Sequence, residues 1–177
     1  MSDMIGKLTV SRETMERLEA YASLLEKWNP RINLVSRATI AELWTRHIVD
    51  SAQIFELGPD NAQHWVDIGS GGGFPGLVIA IIAKELRPEM KITLVESDQR
   101  KCAFLRTVSR ETGCKVEVHA KRIEEIETLK ADVLSARALA DLSLLLDFAT
   151  LHLASDGICL FPKGVTWEKE VENARDE

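Results

Sequence analysis

The chain has 177 residues, 45% of them hydrophobic and 28% charged, with a formal net charge of −6, enough for one domain with a substantial core. No apolar run approaches the ~20 residues of a spanning helix, the opening Met1-Ser2-Asp3-Met4 has no basic stretch leading into an apolar one, and Cys102, Cys114 and Cys159 form no close pair. These features lead us to expect no membrane span, no secretion leader, no disulfide framework and no Cys-x-x-Cys metal site, and they fit a reducing cytoplasmic setting.

The acidic balance speaks against a uniformly basic nucleic-acid binder. Charge is uneven, however: Arg31, Arg37 and Arg46 face the single acid Glu42 in that stretch, whereas Glu168–Glu177 holds five acids and two bases. A local basic face on an acidic protein follows.

The first predicted element is a helix from Ser11, a good N-cap, with Met15, Leu18, Ala22 and Leu25 on one face. Asn29-Pro30 is expected to stop it, because the residue before proline avoids the α region. Thr39-Ile40-Ala41-Glu42 fits a capping box and predicts a second helix to about Phe55, broken at Gly58-Pro59. From Trp65 strand-like and helical runs alternate: Trp65–Ile68, Gly76–Leu86, Ile92–Glu96, Arg100–Glu111, Val116–His119, Val133–Ala136, Leu139–Leu153 and Ile158–Phe161. That alternation predicts an α/β fold, a mostly parallel doubly wound Rossmann-like sheet with N-terminal helices. The chain reads as a single domain, a helical cap over 1–60 and the α/β core over 61–177.

The strongest local signal is Val66-Asp67-Ile68-Gly69-Ser70-Gly71-Gly72-Gly73-Phe74-Pro75-Gly76, after a strand and opening a helix. Glycines there let the backbone approach a ligand closely. Gly71-x-Gly73-x-x-Gly76 also matches the dinucleotide fingerprint, and Glu96, 23 residues after Gly73, can accept from ribose hydroxyls. NAD and S-adenosylmethionine both carry that ribose. Asp67 separates them: a carboxylate before the glycines would repel a pyrophosphate and favour the cationic ammonium and sulfonium of S-adenosylmethionine.

Further pieces carry a resemblance. They are Trp28-Asn29 with Asn33-Leu34 and Ser36; Arg46-His47-Ile48-Val49-Asp50-Ser51; the glycine segment; Glu96-Ser97; Lys101 with Phe104-Leu105; Arg122-Ile123-Glu124; Ser135-Arg137-Ala138; and Phe161-Lys163-Gly164. In these residues the chain resembles the bacterial 16S rRNA guanine-N7 methyltransferases, the glucose-inhibited division protein B family. The resemblance implies a pocket for S-adenosylmethionine that includes Gly69, Phe74, Ile123, Glu124 and Arg137, to which the residue reading adds Asp67, Gly71 and Glu96. It implies 16S ribosomal RNA in the small ribosomal subunit as partner and a monomer without metal.

Arg46 and Asp50 are four apart, as are His47 and Ser51, and His47 and Asp50 are three apart, so these residues would share a helix face beside the cofactor mouth, holding RNA phosphate or the target base. Lys163 is a second candidate for phosphate contact. No catalytic acid or base is expected, since guanine N7 attacks with a free lone pair and loses no proton. Cys159, inside a predicted strand, reads as a buried thiol rather than a nucleophile. The alternatives are a small-molecule methyltransferase and a non-enzymatic cofactor-binding module. Family members continue into an antiparallel strand pair after the Lys-Gly segment; this chain instead runs into an acidic helical stretch, Trp167–Asp176, so the closing strands are expected to be missing.

Overall fold

The computed structural model describes residues 2–175. It opens with a hairpin that sequence patterning misses: Ser2–Ile5 (β1) pairs antiparallel with Leu8–Ser11 (β2). Strands of four residues are too short to show alternation. The usable signal is Gly6-Lys7 between them, because a two-residue hairpin loop favours positive φ at its first position and Gly6 has φ +61°. Ile5 and Val10 are buried, and Ser11 anchors the hairpin to Glu85 through its amide and hydroxyl, at 3.0 and 2.9 Å.

Ser11 is the N-cap of α1 (Arg12–Ile32), as expected, accepting from the Thr14 amide. The helix does not stop at Asn29; it carries Pro30 inside and ends where Asn33 adopts φ +50°. Proline in the last turn removes only one backbone donor. Asn29 stabilises the exit, its side-chain oxygen accepting from the amides of Leu34 (2.7 Å) and Val35 (2.9 Å).

The second helix also differs from expectation. Arg37–Ile40 (α2) is a single turn begun by Ser36, so Thr39 is inside it and its hydroxyl contacts Ser36 rather than capping. After a break at Ala41, a π-type turn over Trp44–Val49 runs into α3 (Asp50–Leu57), which ends at Gly58 as expected.

The core is a five-stranded sheet of β3 (His64–Ile68), β4 (Lys91–Val95), β5 (Glu117–His119), β6 (Ala131–Ala136) and β7 (Leu153–Leu160). All its pairings are parallel, in the order β5-β4-β3-β6-β7. β7 begins five residues earlier than expected and bulges before Ile158, where its register shifts against β6. Crossover helices are α4 (Gly76–Leu86), α5 (Gln99–Thr112) and α6 (Leu142–His152). The chain moves outward from β3 to β5 and then returns to the other side of β3, so strand order reverses between β3 and β6. Ligands of such sheets bind outside the carboxyl ends at that point. α7 (Trp167–Arg175) follows; Asp176, the end of the predicted acidic stretch, lies outside the described residues. No helix of the described residues is long and apolar enough to cross a membrane.

Alternation along β3 divides the core. Val66 and Ile68 pack with Leu134, Leu145 and Phe148 on one face. Trp65, together with Leu94 of β4, packs against α4 and α5 on the other. Period two therefore sends Asp67 to the Trp65 face, toward the start of α4. There the α4 backbone comes so close that a Cβ on Gly76 would stand 2.7 Å from the Asp67 Oδ2 and would collide with Leu94. Gly76→Ala is expected to lower stability by about 1–3 kcal/mol, the usual range for overpacking a filled core. Urea unfolding checks this; an unchanged midpoint would mean that the strand and helix separate without cost.

Candidate active site

The turn from β3 to α4 is built around the fully buried Asp67. Its Oδ1 accepts from the Ser135 hydroxyl at 2.8 Å and its Oδ2 from the Gly76 amide at 3.3 Å. Ser135 in turn accepts from the Trp65 indole N–H at 2.9 Å, tying β6 to β3. Burial pushes the Asp67 carboxyl up to about 6, a rise that the Ser135, Ser70 and Gly76 donors oppose.

Around this post the loop closes on itself. Ser70 Oγ donates to the Asp67 carbonyl (2.9 Å), the Gly73 amide donates to the Ser70 carbonyl (2.7 Å), and Tyr21 of α1 donates to the Gly72 carbonyl at 2.5 Å. The structure corrects the direct role expected of Asp67. Its carboxylate lies behind the loop and does not line the crevice, because strand alternation aims it at α4.

In front of the loop lies a crevice of about 500 Å³. Gly69, Gly71, Phe74, Glu96, Ile123, Glu124 and Arg137 all line it, so the structure brings together every other expected pocket residue. Gly69 holds φ +64°, a conformation that a side chain would strain. Glu96, just past β4, accepts from the Gly71 amide through one oxygen and the Asp98 amide through the other, each at 2.8 Å. A carboxylate has about four acceptor positions, so both oxygens retain capacity toward the crevice.

Sequence reasoning misses Leu34, Leu139 and Phe148 as apolar walls, and Lys101, Lys121 and Arg122 as wall residues with cationic heads. Ala138 offers a signal only in the structure: its φ of +53° is rare for alanine, and such strain concentrates at functional turns.

The Arg46–Ser51 segment does not present four side chains on one face. A π-type turn takes an extra residue, so pairs four apart no longer stack. Arg46 turns out to Glu42 in an exposed ion pair. Ser51 is buried, and its hydroxyl donates to the His47 carbonyl at 2.6 Å, which leaves it no reach to a substrate.

Arg46 meets the crevice machinery only through its carbonyl, which accepts from Arg137 at 3.4 Å; His47 meets it through its side chain. Its Nδ1 accepts from the Arg137 guanidinium at 2.6 Å, and its ring lies 4.9 Å from that of Phe74. Arg137 Cζ sits 5.1 Å over the same Phe74 ring. Burial first, then the Arg137 and Arg46 charges, pull the His47 ring down to about 4. It is therefore neutral near pH 7 and serves as acceptor for Arg137.

Asp50 lines a smaller adjoining cavity of about 370 Å³ together with Arg137, Lys163 and Glu170. Lys163 is not free for phosphate as expected: its ammonium donates to the Ala140 carbonyl at 2.8 Å and pairs with Glu170 at 2.7 Å. Among the described residues no cluster of His, Cys, Asp and Glu could hold a metal.

An NMR titration checks the His47–Arg137 contact. The wild-type ring is expected to titrate near 4, and Arg137→Ala to move it up toward 6.5. Between those values the unfolded chain binds a proton that the native ring refuses, so this site's contribution to stability falls as pH drops through that window. A ring titrating near 6.5 in the wild type would remove the contact.

Comparison with known proteins agrees with this geometry. Residues 14–177 match the family described as GidB, rRNA small subunit methyltransferase G. Ribosomal RNA small subunit methyltransferase G of Ruegeria sp. (strain TM1040) is 58% identical over 177 residues, covering 99% of this chain and 86% of that protein. The protein of the same name from Rhodospirillum centenum is 54% identical over 175 residues, covering 99% of this chain and 79% of its own.

Solved structures share the fold. Cofactor-bound Rv0187 from MTB superposes with a TM-score of 0.64 at 15% identity, covering 91% of this chain and 76% of that one. The O-methyltransferase TomG from Streptomyces achromogenes, solved in complex with SAM, does so with a TM-score of 0.59, also at 15% identity and with the same coverage. The fold is Rossmann-like, and with a family match spanning nearly its whole length the chain belongs to the rRNA small subunit methyltransferase G family.

Proposed function

We propose that this chain is a cytoplasmic methyltransferase that moves the methyl group of S-adenosylmethionine onto N7 of a guanine in a loop of 16S ribosomal RNA. The observation that carries the reading is the crevice at the strand-order reversal, with the glycine loop on one side and Glu96 and Arg137 on the others, in a chain of this family.

The residues present fit the cofactor. Glu96 offers a carboxylate at the end of the second core strand, where ribose hydroxyls donate in such folds. Ile123, a buried residue of the crevice wall, supplies an apolar surface for an adenine. Gly69 and Gly71 bring main chain, not side chains, to the crevice face. When bound, S-adenosylmethionine supplies an electrophilic methyl on a sulfonium.

Transfer to N7 forms one C–N bond as the C–S bond breaks, and no proton leaves the guanine. The protein therefore has no acid–base step to perform, and its contribution is positioning and charge placement. Phe74, neutral His47 and the Arg46 carbonyl hold Arg137 at the crevice, and each of its terminal nitrogens keeps one further N–H for an acceptor. A guanine offers O6 next to N7 as that acceptor. RNA loops suit such a site because their bases can be splayed out and read one at a time.

Two measurements test this. S-adenosylhomocysteine is expected to raise the melting temperature, by linkage to a site present only in the folded chain, and NAD is not. Labelled S-adenosylmethionine is expected to methylate one guanine N7 in small subunits from a strain lacking the activity. Stabilisation by NAD instead, or label on a low-mass acceptor and none on the RNA, would overturn the reading.

A further inference from the structure

The smaller cavity has a composition that phosphate recognition does not explain. Lys163 and Glu170 neutralise one another across it, and Lys163 also donates to Ala140. The other charged residues of its lining are Asp50 and Arg137. Asp50 begins α3 within a continuous helical run after the π-type turn, its backbone amide donating to the His47 carbonyl, while its side chain is exposed and among the described residues has no hydrogen-bond or ion-pair partner. Burial pulls the Arg137 guanidinium down, and Asp50 is one of the nearby acids, after Tyr21 and Asp67, that oppose this. An unpartnered carboxylate repels a phosphate and attracts N–H donors.

Arg137 lines both this cavity and the larger crevice. A base placed across that boundary would show one edge to the crevice and the opposite edge to Asp50. Guanine fits this arrangement best among the bases. Its N7 and O6 acceptors lie on one edge, and N1–H and the N2 amino group form two adjacent donors on the other. Adenine and cytosine place an acceptor beside their amino donor, and uracil flanks its single N–H with carbonyls; each would set an acceptor against the carboxylate.

Resting on the function proposed above, we propose that Asp50 is a specificity-determining residue that accepts from N1–H and the N2 amino group of the acceptor guanine, while Arg137 donates to O6 between the two cavities. The arrangement also assists the transfer. As N7 acquires the methyl group the ring becomes cationic, and N1–H and N2–H become stronger donors. The carboxylate therefore holds the transition state more firmly than the ground state, which raises kcat as well as selectivity.

The test uses small subunits reconstituted with 16S RNA bearing either guanine or inosine at the methylated position; inosine keeps N7, O6 and N1–H but lacks the N2 amino group. Wild-type kcat/KM is expected to favour guanine by about ten- to a hundredfold, the range for one bidentate base contact. Asp50→Asn is expected to lower kcat on guanine and to bring the ratio close to one, while calorimetric affinity for S-adenosylhomocysteine is retained. An equal wild-type rate on both RNAs, or an undiminished ratio in Asp50→Asn, would overturn the assignment while leaving guanine methylation intact. Absence of any transfer to guanine N7 by the wild type would instead overturn the underlying function, and this role with it.

Discussion

The hydrogen-bonded post at Asp67 is the constraint on which the rest of the structure depends. A carboxylate with no exposure is costly unless partnered, and here the partners come from three elements: Gly76 from α4, Ser135 from β6 and, one step further, Trp65 from β3. Satisfying that one group therefore fixes the spacing of β3, β6 and the start of α4. The glycine loop between them has little freedom left, and Tyr21 restrains its middle from the cap side. The crevice is the space left in front of a loop whose back is pinned.

The acceptor side follows a different logic. Arg137 is held at the junction of two cavities by an aromatic face and a neutral imidazole. A protonated His47 would present a donor where Arg137 also donates, and the pair would separate. Burial of the imidazole thus serves orientation rather than proton transfer, in keeping with a reaction that moves no proton. The excess of acid over base in the chain as a whole is compatible with an RNA partner because the site is defined by where particular charges stand, and the crevice wall carries Lys101, Lys121, Arg122 and Arg137.

Much of this was legible in the residues. The run from Trp65 to Leu86 shows its strand, turn and helix because glycines and apolar periodicity change together there, and α4 matches its expected bounds. Gly69, Gly71, Phe74, Glu96, Ile123, Glu124 and Arg137 meet as the motifs suggest. What escaped was orientation. Asp67 is adjacent to the glycines in sequence, yet alternation along β3 turns it away from them. The Arg46–Ser51 segment has the spacing of an α-helical face, but a π-type turn, which leaves no compositional trace, scatters its side chains. Lys163 reads as free because its partner Glu170 and the Ala140 carbonyl are brought to it only by folding. The β1–β2 hairpin was hidden by its brevity.

The most direct test of the crevice is a crystal of the protein grown with S-adenosylhomocysteine. The account requires the nucleoside in the space in front of Gly69 and Gly71, its ribose hydroxyls on Glu96, its adenine against Ile123, and the Asp67–Ser135–Trp65 chain unchanged behind the loop. A nucleoside bound elsewhere, or a crevice filled by Leu139 and Phe148 with no room for adenosine at saturating ligand, would contradict it.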